Sequence, residues 1–190
     1  MAEIEKLVPH IIKWEAGVTK EGVTGEQLFE LARKKGWSDH PNDKGGATQT
    51  GLTLKAYAAW RTEHGLPAPT KAMLRKVTYA EWLAILREKY WSRWKADQIQ
   101  NQSIANLVVD WVWGSGVYGI KYPQQALGVK ADGVVGPKTL AALNGAEPST
   151  VFAKLWRRRK QHFEDLAKKP GQDVWLKGWL NRLNDLKFKS

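Results

Sequence analysis

The carboxylate with the clearest capacity for chemistry is Glu15, at the end of the first predicted helix. Helical steps from Val8 through Ile11 reach Glu15, so it continues an apolar stripe. The negative end of the helix dipole and partial burial both disfavour a charged carboxylate at this position. A carboxylic acid that keeps its proton can act as a general acid. The position equally suits a solvated glutamate that pairs with Lys13 or Lys20.

A second group of polar side chains lies in the glycine-rich segment 37–53. The paired glycines at 45–46 allow the backbone to approach a ligand closely. If this segment folds over the end of the first helix, Asp43 or Asp39 faces Glu15 across a cleft. Two carboxylates that flank a scissile bond are what glycoside hydrolysis requires. An ordinary Asx turn before a hairpin accounts for the same residues, and the spacing does not match a phosphate-binding loop.

The elements that must position these residues are mainly helices. Capping boxes begin helices after Thr24 and Thr78, and Ser103 is the predicted cap of another helix. Pro9 predicts a local irregularity in the first helix, and Pro123 predicts the start of a short one. Residues 37–53 predict a loop that leads into a small hairpin. The expected fold class is therefore mainly α (α+β), a helical bundle with a small β-hairpin near the cleft.

Composition excludes several classes of protein. The 190 residues are 43% hydrophobic and 26% charged, as in a folded globule. The absence of cysteine excludes disulfide scaffolds, thiolate zinc sites and cysteine nucleophiles. The four histidines have no metal-ligand spacing, so we expect neither a metal nor an organic cofactor. No apolar run approaches the roughly 20 residues of a membrane span.

The charge and the aromatic content point to the kind of partner. Lys and Arg total 30 against 19 Asp and Glu, which gives a net charge of +11 and favours an anionic partner. Eleven residues are tryptophan, more than tyrosine and phenylalanine together. Most of these rings are expected to pack in the core, and a minority to meet a ligand with a planar or apolar face.

Two stretches together resemble a known enzyme family. Lys13 to Gly17 (KWEAG), followed by His40 to Thr53 (HPNDKGGATQTGLT), is similar to the glycoside hydrolase 108 family. Its members are lysozyme-like N-acetylmuramidases of phage endolysins and of bacterial proteins once labelled secretion activators. The family pattern is approximately E-G-G and then N-D-P-x-D-x-G-G-x-T-x-x-G-I-T. This chain has Ala16 in place of one glycine, His40 in place of one aspartate, and an insertion at 18–36.

The C-terminal half resembles the partner region of that family, a predicted peptidoglycan-binding domain. The matching stretches include Asp110 to Gly116 (DWVWGSG), Gln124 to Leu140 (QQALGVKADGVVGPKTL) and Lys177 to Leu183 (KGWLNRL). We therefore expect a catalytic region at 1–100 and a helical peptidoglycan-binding region at 101–190, packed into one globule. The second region either binds the wall or only completes the fold.

The resemblance implies roles for particular residues. Glu15 is the implied catalytic acid, with Asp43 and Thr48 as catalytic partners on the water side of the cleft. Asp39 and Thr50 are the alternatives for those two positions. The tryptophans that are candidates to stack on sugar rings are Trp37, Trp60, Trp91, Trp94, Trp111 and Trp113. The expected substrate-binding set is Asp39, His40, Thr50, Trp91 and Trp113.

These expectations combine into one leading function and two rivals. The leading function is hydrolysis of the β-1,4 bond between N-acetylmuramic acid and N-acetylglucosamine by a monomer that acts on peptidoglycan strands in an anionic cell envelope. A lysozyme-like protein that binds peptidoglycan without cleaving it is the first rival. A basic nucleic-acid-binding protein is the second, although no recognised nucleic-acid motif accompanies the charge.

The N-terminus predicts where such an enzyme would act. It is acidic early, and Pro9 and His10 break its longest apolar stretch, so it has no features of a signal peptide. We therefore expect synthesis in the cytoplasm and action on the cell wall or periplasm after release, as for a phage endolysin.

Overall fold

The computed structural model describes residues 1–39 and 46–190 and is 65% helical, with one small antiparallel sheet. The mainly α fold class is confirmed, and the β element has three strands where the sequence predicted a hairpin. The chain forms two compact units, Leu7–Glu88 and the combination of Met1–Lys6 with Lys89–Ser190. No helix in the described residues has the length and apolar character needed to span a membrane.

The first unit packs five helices around the sheet. The strands run in the order β1-β2-β3, with Trp37 opposite Gln49 and Gln49 opposite Leu52. Its elements are α1 (Val8–Ala16), α2 (Gly25–Arg33), β1 (Trp37–Ser38), β2 (Thr48–Gln49), β3 (Leu52–Thr53), α3 (Leu54–Glu63), α4 (Lys71–Arg75) and α5 (Tyr79–Leu86).

Local sequence explains where these helices begin. The Thr24 hydroxyl accepts from the Gln27 backbone N–H while the Gln27 side chain accepts from the Thr24 N–H, so the predicted capping box is confirmed. Thr78 forms the second predicted box at the start of α5. The irregularity predicted at Pro9 is a helix start, because Pro9 lies in the first turn of α1, where its missing N–H costs no hydrogen bond.

The core of the first unit is built on the apolar stripe of α1. Val8, Ile11 and Ile12 are fully buried, and α1 packs against α2. On α2 the ring of Phe29 is also fully buried and lies 5.3 Å from the ring of Trp82 on α5. These contacts hold α1, α2 and α5 together in the first unit.

The second unit is a bundle of five helices with several short turns. Its helices are α6 (Gln102–Ser115), α7 (Tyr118–Leu127), α8 (Pro137–Asn144), α9 (Pro148–Ala167) and α10 (Leu176–Asp185). The 3-10 turns of this unit are Ile4–Lys6, Ser92–Trp94, Ala96–Gln98 and Asp173–Trp175. A π-helical turn, Arg87–Trp91, crosses the boundary of the two units along the chain.

Two predicted helix starts in the second unit are wrong. Asn101, not Ser103, caps α6, because its side chain accepts from the Ile104 N–H while the Ser103 hydroxyl accepts from the Lys189 N–H. Pro123 lies inside α7 and not at its start.

The core of the second unit contains a buried ionic cluster. Asp110 has no exposed surface, and its carboxylate accepts from Arg159 at 2.8 Å and from Arg182 at 2.7 Å. Although Arg159 belongs to the basic run 157–160 of α9, it is only 1% exposed. Two of the resembling stretches, DWVWGSG and KGWLNRL, therefore meet through Asp110 and Arg182, which gives them a structural role.

Candidate active site

Glu15 lies in the last turn of α1 and is half-buried. The helix ends directly after it, since Gly17 adopts the left-handed conformation with φ 63° and its N–H donates to the Lys13 carbonyl. The carboxylate therefore projects from the C-terminal end of a rigid helix, as the stripe of α1 predicts.

The turn between β2 and β3 lies against the Glu15 side chain. The turn residues Thr50 and Gly51 have φ values of 49° and 75°, which matches a two-residue type I′ hairpin. A Cβ atom at Gly51 would lie 2.6 Å from Cγ of Glu15 and 2.7 Å from its Oε2. Gly51 is thus required twice, for the positive φ and for the close approach of the Glu15 carboxyl group.

Hydrogen bonds from three directions hold this turn in place. The Thr50 N–H donates to the Gly36 carbonyl at 2.8 Å, and the Trp82 indole N–H donates to the Thr50 carbonyl at 3.1 Å. The Gln49 side-chain amide donates to the Thr50 hydroxyl at 3.2 Å. Thr50 has no exposed surface, so it supports the turn, and contact with a substrate would require the turn to open.

The other predicted residues of this region have separate environments. Thr48 is half-buried on the central strand, paired with Ser38 and Thr53. The Asp39 carboxylate follows β1 and accepts from Lys71 on α4 at 2.9 and 3.1 Å. The predicted second carboxylate, Asp43, and the predicted substrate contact His40 lie outside the described residues.

The two tryptophans of the expected substrate-binding set belong to the second unit. Trp91 has no exposed surface, and its indole N–H donates to Asp97 at 2.9 Å. A sugar cannot reach that ring in this conformation. Trp113 is half-buried, with its ring 4.6 Å from the ring of Tyr90, and it retains some accessible surface.

Sequence patterns did not indicate the residues that support Glu15. Gly51, Gly36 and Trp82 were not among the candidate residues, although Gly51 follows Thr50 in a threonine-rich segment that suits a hairpin turn. A Cβ at Gly36 would lie 2.7 Å from the Thr50 hydroxyl, so a second glycine is also a packing requirement. The signal available in the sequence was the position of these glycines beside a predicted turn.

Metal binding has no support in the part of the chain that the structure describes. Within residues 1–39 and 46–190, no three histidine, aspartate or glutamate side chains are grouped so that they could hold a metal ion. Around Glu15 the structure places a carboxyl group at a helix end, packed against the Thr50–Gly51 turn.

The segment QQALGVKADGVVGPKTL is organised by one buried amide. Gln124 has no exposed surface, and its side chain donates to Asp132, to the Val134 carbonyl and to Thr139, and accepts from the Gly133 N–H. The Val134 backbone N–H and the Gln124 amide hold the pKa of Asp132 below its usual value. These contacts give this segment a role in closing the fold.

Comparisons with known proteins agree with this architecture. Residues 8–116, more than half of the chain, match the family model described as glycosyl hydrolase 108, and residues 118–184 match the one described as Predicted Peptidoglycan domain. Among solved structures, Brucella abortus SagA is 27% identical with a TM-score of 0.73, covering 95% of this chain and 89% of that chain. No curated protein sequence matches. The fold is thus mainly α and lysozyme-like, as expected.

Proposed function

Because the chain belongs to the glycosyl hydrolase 108 family, we propose that it is an N-acetylmuramidase that cleaves the β-1,4 bond between N-acetylmuramic acid and N-acetylglucosamine. The family match and the Predicted Peptidoglycan domain support peptidoglycan as its partner and hydrolysis as its activity. The observation that carries the proposal is the Glu15 carboxyl group at the end of α1, held against the Gly51 turn.

In the proposed reaction Glu15 is the general acid. It donates its proton to the glycosidic oxygen as the bond to the anomeric carbon breaks, which lets the leaving sugar depart as a neutral alcohol. Close packing of the turn on one side of the carboxyl group supports this role, since it restricts the rotamers of the side chain and fixes the direction of proton transfer.

Asp43 is proposed as the second carboxylate, with Thr48 as the hydroxyl beside the attacking water. Asp43 would take a proton from that water as the water oxygen bonds to the anomeric carbon. A separation of roughly 6.5–9.5 Å between the two carboxyl groups would give inversion, and one of roughly 5–5.5 Å would give retention. Asp39 is the less suitable candidate, because its carboxylate is already paired with Lys71.

The proposed site of action is the cell wall. A chain with a net charge of +11 is attracted to an anionic envelope over a distance limited by salt screening. We propose that the protein reaches the wall after release from the cytoplasm and acts there as a monomer, in the manner of an endolysin. Cleared zones around intact producing cells, without lysis, would contradict this route.

A test of catalysis compares clearing of purified cell walls by three forms of the chain. We expect the wild type to clear the walls and Glu15→Gln to lose activity by two orders of magnitude or more, on the scale of general acid catalysis of about 10²–10⁴-fold. Glu21→Gln, at an exposed glutamate in the segment after α1, is the matched control and should clear like the wild type. Equal clearing by Glu15→Gln and the wild type would sink the catalytic assignment.

The same experiment separates the rival functions. Sedimentation with walls but no clearing by the wild type would favour a binding protein without catalysis, which the match at 118–184 makes the second candidate. Salt-sensitive retention on DNA, with no sedimentation on walls, would favour nucleic-acid binding.

A further inference from the structure

A groove in the second unit lies between α9 and the end of α10, and none of the residues that line it is assigned above to the reaction. Its volume is about 470 Å³, in the range of small-ligand sites. It combines aromatic rings with positively charged and amide side chains. The residues that define this α9–α10 groove are Phe152, Trp156, Arg157, Asn184, Lys187 and Phe188.

Aromatic rings form the apolar part of the groove. Phe152 and Trp156 lie one turn apart on α9, and the ring of Phe152 is 5.8 Å from the ring of Phe188. The Trp156 indole N–H donates to the Leu183 carbonyl at 3.3 Å, which fixes the orientation of the ring. With its N–H engaged, Trp156 offers a ligand only its apolar ring surface, which suits the C–H face of a pyranose.

The polar part of the groove carries two cationic side chains, Arg157 and Lys187, that form no ion pair with a described residue. Among the described residues, no carboxylate pairs with Arg157 or Lys187, and none lines the groove. The adjacent arginines are engaged, since Arg158 donates to Gln125 and stacks on an aromatic ring, while Arg159 binds Asp110 in the core. Arg157 is thus the arginine of this run that remains available to an anionic ligand.

An amide completes the set of groups. The Asn184 side chain is exposed and has no hydrogen-bond partner within the described part of the chain. A primary amide both donates and accepts, so it matches the acetamido group of an N-acetylated sugar. Guanidinium and ammonium groups match carboxylates, with which they form the stronger, charge-assisted hydrogen bonds.

We propose that the α9–α10 groove binds a muropeptide unit, an N-acetylated sugar that carries a carboxylate-bearing peptide. The sugar ring packs on Trp156, Asn184 bonds the acetamido group, and Arg157 and Lys187 bind carboxylates of the peptide. The inference rests on peptidoglycan as the substrate, and it assigns a second point of attachment distinct from Glu15. Such a site raises the local concentration of wall polymer around the enzyme between cleavage events.

The test measures binding by calorimetry with the full chain carrying Glu15→Gln, so that the ligand is not consumed. The probes are a disaccharide-tetrapeptide muropeptide, the same disaccharide without peptide, and a single-stranded oligonucleotide. The groove variant is Arg157→Gln with Lys187→Gln. The matched control is Lys154→Gln with Lys177→Gln, which removes the same charge from exposed lysines outside the groove.

We expect the groove variant to bind the muropeptide about tenfold more weakly or worse, as the loss of two charge-assisted hydrogen bonds implies, and the control to bind within about twofold of the parent. The peptide-free disaccharide should bind more weakly than the muropeptide and respond little to the groove substitutions. Equal muropeptide affinity in groove variant and control would overturn the proposal. The proposal would also be overturned if the oligonucleotide bound the parent as tightly as the muropeptide does and this binding were lost in the groove variant.

Failure of this inference is distinguishable from failure of the proposed catalysis. If the chain with Glu15 intact cleaves no wall but the groove variant still loses muropeptide affinity, the groove assignment stands and the catalytic one falls. If cleavage depends on Glu15 while the groove substitutions leave muropeptide affinity unchanged, the groove assignment falls alone.

Discussion

Glu15 and Gly51 form the contact on which the proposed chemistry depends. The backbone of Gly51 occupies the space directly beside the Glu15 carboxyl group, at a φ of 75°. The turn is itself anchored by the Gly36 carbonyl and by the indole N–H of Trp82. The Glu15 carboxyl group is therefore positioned by a packed backbone, and any side chain at Gly51 must displace either the turn or this carboxyl group.

Gly51→Ala tests this positioning. The new Cβ would lie 2.6 Å from Cγ of Glu15, so we expect at least about a tenfold loss in the rate of wall clearing, because small misplacements of a catalytic group cost orders of magnitude. Gly22→Ala is a matched control, since the exposed Gly22 has a φ of 70° and nothing lies within 4 Å of the added Cβ. Both variants carry about 1–2 kcal/mol of left-handed backbone strain, and the contact with Glu15 adds to the loss of stability in Gly51→Ala alone.

The comparison of these two alanine variants separates geometry from stability. Equal activity losses in Gly51→Ala and Gly22→Ala would contradict a positioning role for Gly51, since backbone strain alone would then account for both.

Sequence reasoning predicted the position of Glu15 at the end of α1 but not the residues that pack against it. The 3.6-residue stripe from Val8 to Ile11 extends to Glu15, so local periodicity was sufficient to place it at the end of α1. The contact with Gly51 joins residues far apart along the chain, and no local pattern encodes it. Burial of Thr50 and Trp91 likewise depends on tertiary packing, which their residue types do not reveal.

At the scale of elements, helix α7 contains Pro123 in its interior, and a hydrogen bond from Trp94 replaces the backbone hydrogen bond that this proline cannot make. Pro123 has no N–H to donate to the Gly119 carbonyl, the acceptor four residues earlier in the helix. The indole N–H of Trp94, which has no exposed surface, donates to that carbonyl at 3.2 Å instead. The helix therefore continues from Tyr118 through Pro123, where the sequence predicted a start.

This compensation predicts the outcome of a double-mutant cycle. Trp94→Phe leaves the buried Gly119 carbonyl without its donor, so we expect it to lower the free energy of unfolding by about 1–3 kcal/mol, in addition to the loss of packing. In a Pro123→Ala background the alanine N–H can bond the same carbonyl, so the cost of Trp94→Phe should be smaller.

Urea denaturation of the four proteins in this cycle measures the coupling between Trp94 and Pro123. Strictly additive changes in the free energy of unfolding would show that the indole does not substitute for the missing backbone donor.

Some helix starts could be predicted from the sequence, and others depend on tertiary contacts. The boxes at Thr24 and Thr78 were predictable because a cap is read from residues three apart. The start of α6 was placed at Ser103, because serine and asparagine are comparable caps and the choice depends on the tertiary bond from Lys189 to Ser103. The start of α7 could not be predicted without Trp94.

At the scale of the whole molecule, the fold of this basic protein keeps the ring of His162 neutral at a pH where the unfolded chain protonates it. His162 is 8% exposed and lies among the rings of Trp111, Tyr122 and Phe163. Burial, together with the charges of Arg158 and Arg159, lowers the pKa of His162 to about 4. The folded chain therefore resists protonation of this ring at a pH where the unfolded chain accepts it.

Because the pKa of His162 is lowered in the folded chain, the stability of the fold decreases as the pH falls. Above pH about 6.5 His162 is neutral in both states, and as the pH falls toward about 4 only the unfolded state gains the proton, so stability is lost. The contribution amounts to at most about 3 kcal/mol across that window. In His162→Phe this part of the acid sensitivity should disappear.

Urea unfolding of wild type and His162→Phe at about pH 7.5 and about pH 4.5 measures this contribution. Other groups, including Asp132 and Asp165, titrate in both proteins and cancel in the difference. Parallel changes with pH in the two proteins would contradict a neutral, buried His162.

The central claim is that Glu15 makes this chain a muramidase, and the reducing-end sugar of the released fragments tests it most directly. Purified walls are digested by wild type, by Glu15→Gln and by Glu21→Gln, and the fragments are identified by borohydride reduction and mass spectrometry. We predict reducing N-acetylmuramic acid from the wild type and Glu21→Gln, and none from Glu15→Gln. Reducing N-acetylglucosamine, or equal release by Glu15→Gln, would contradict the claim.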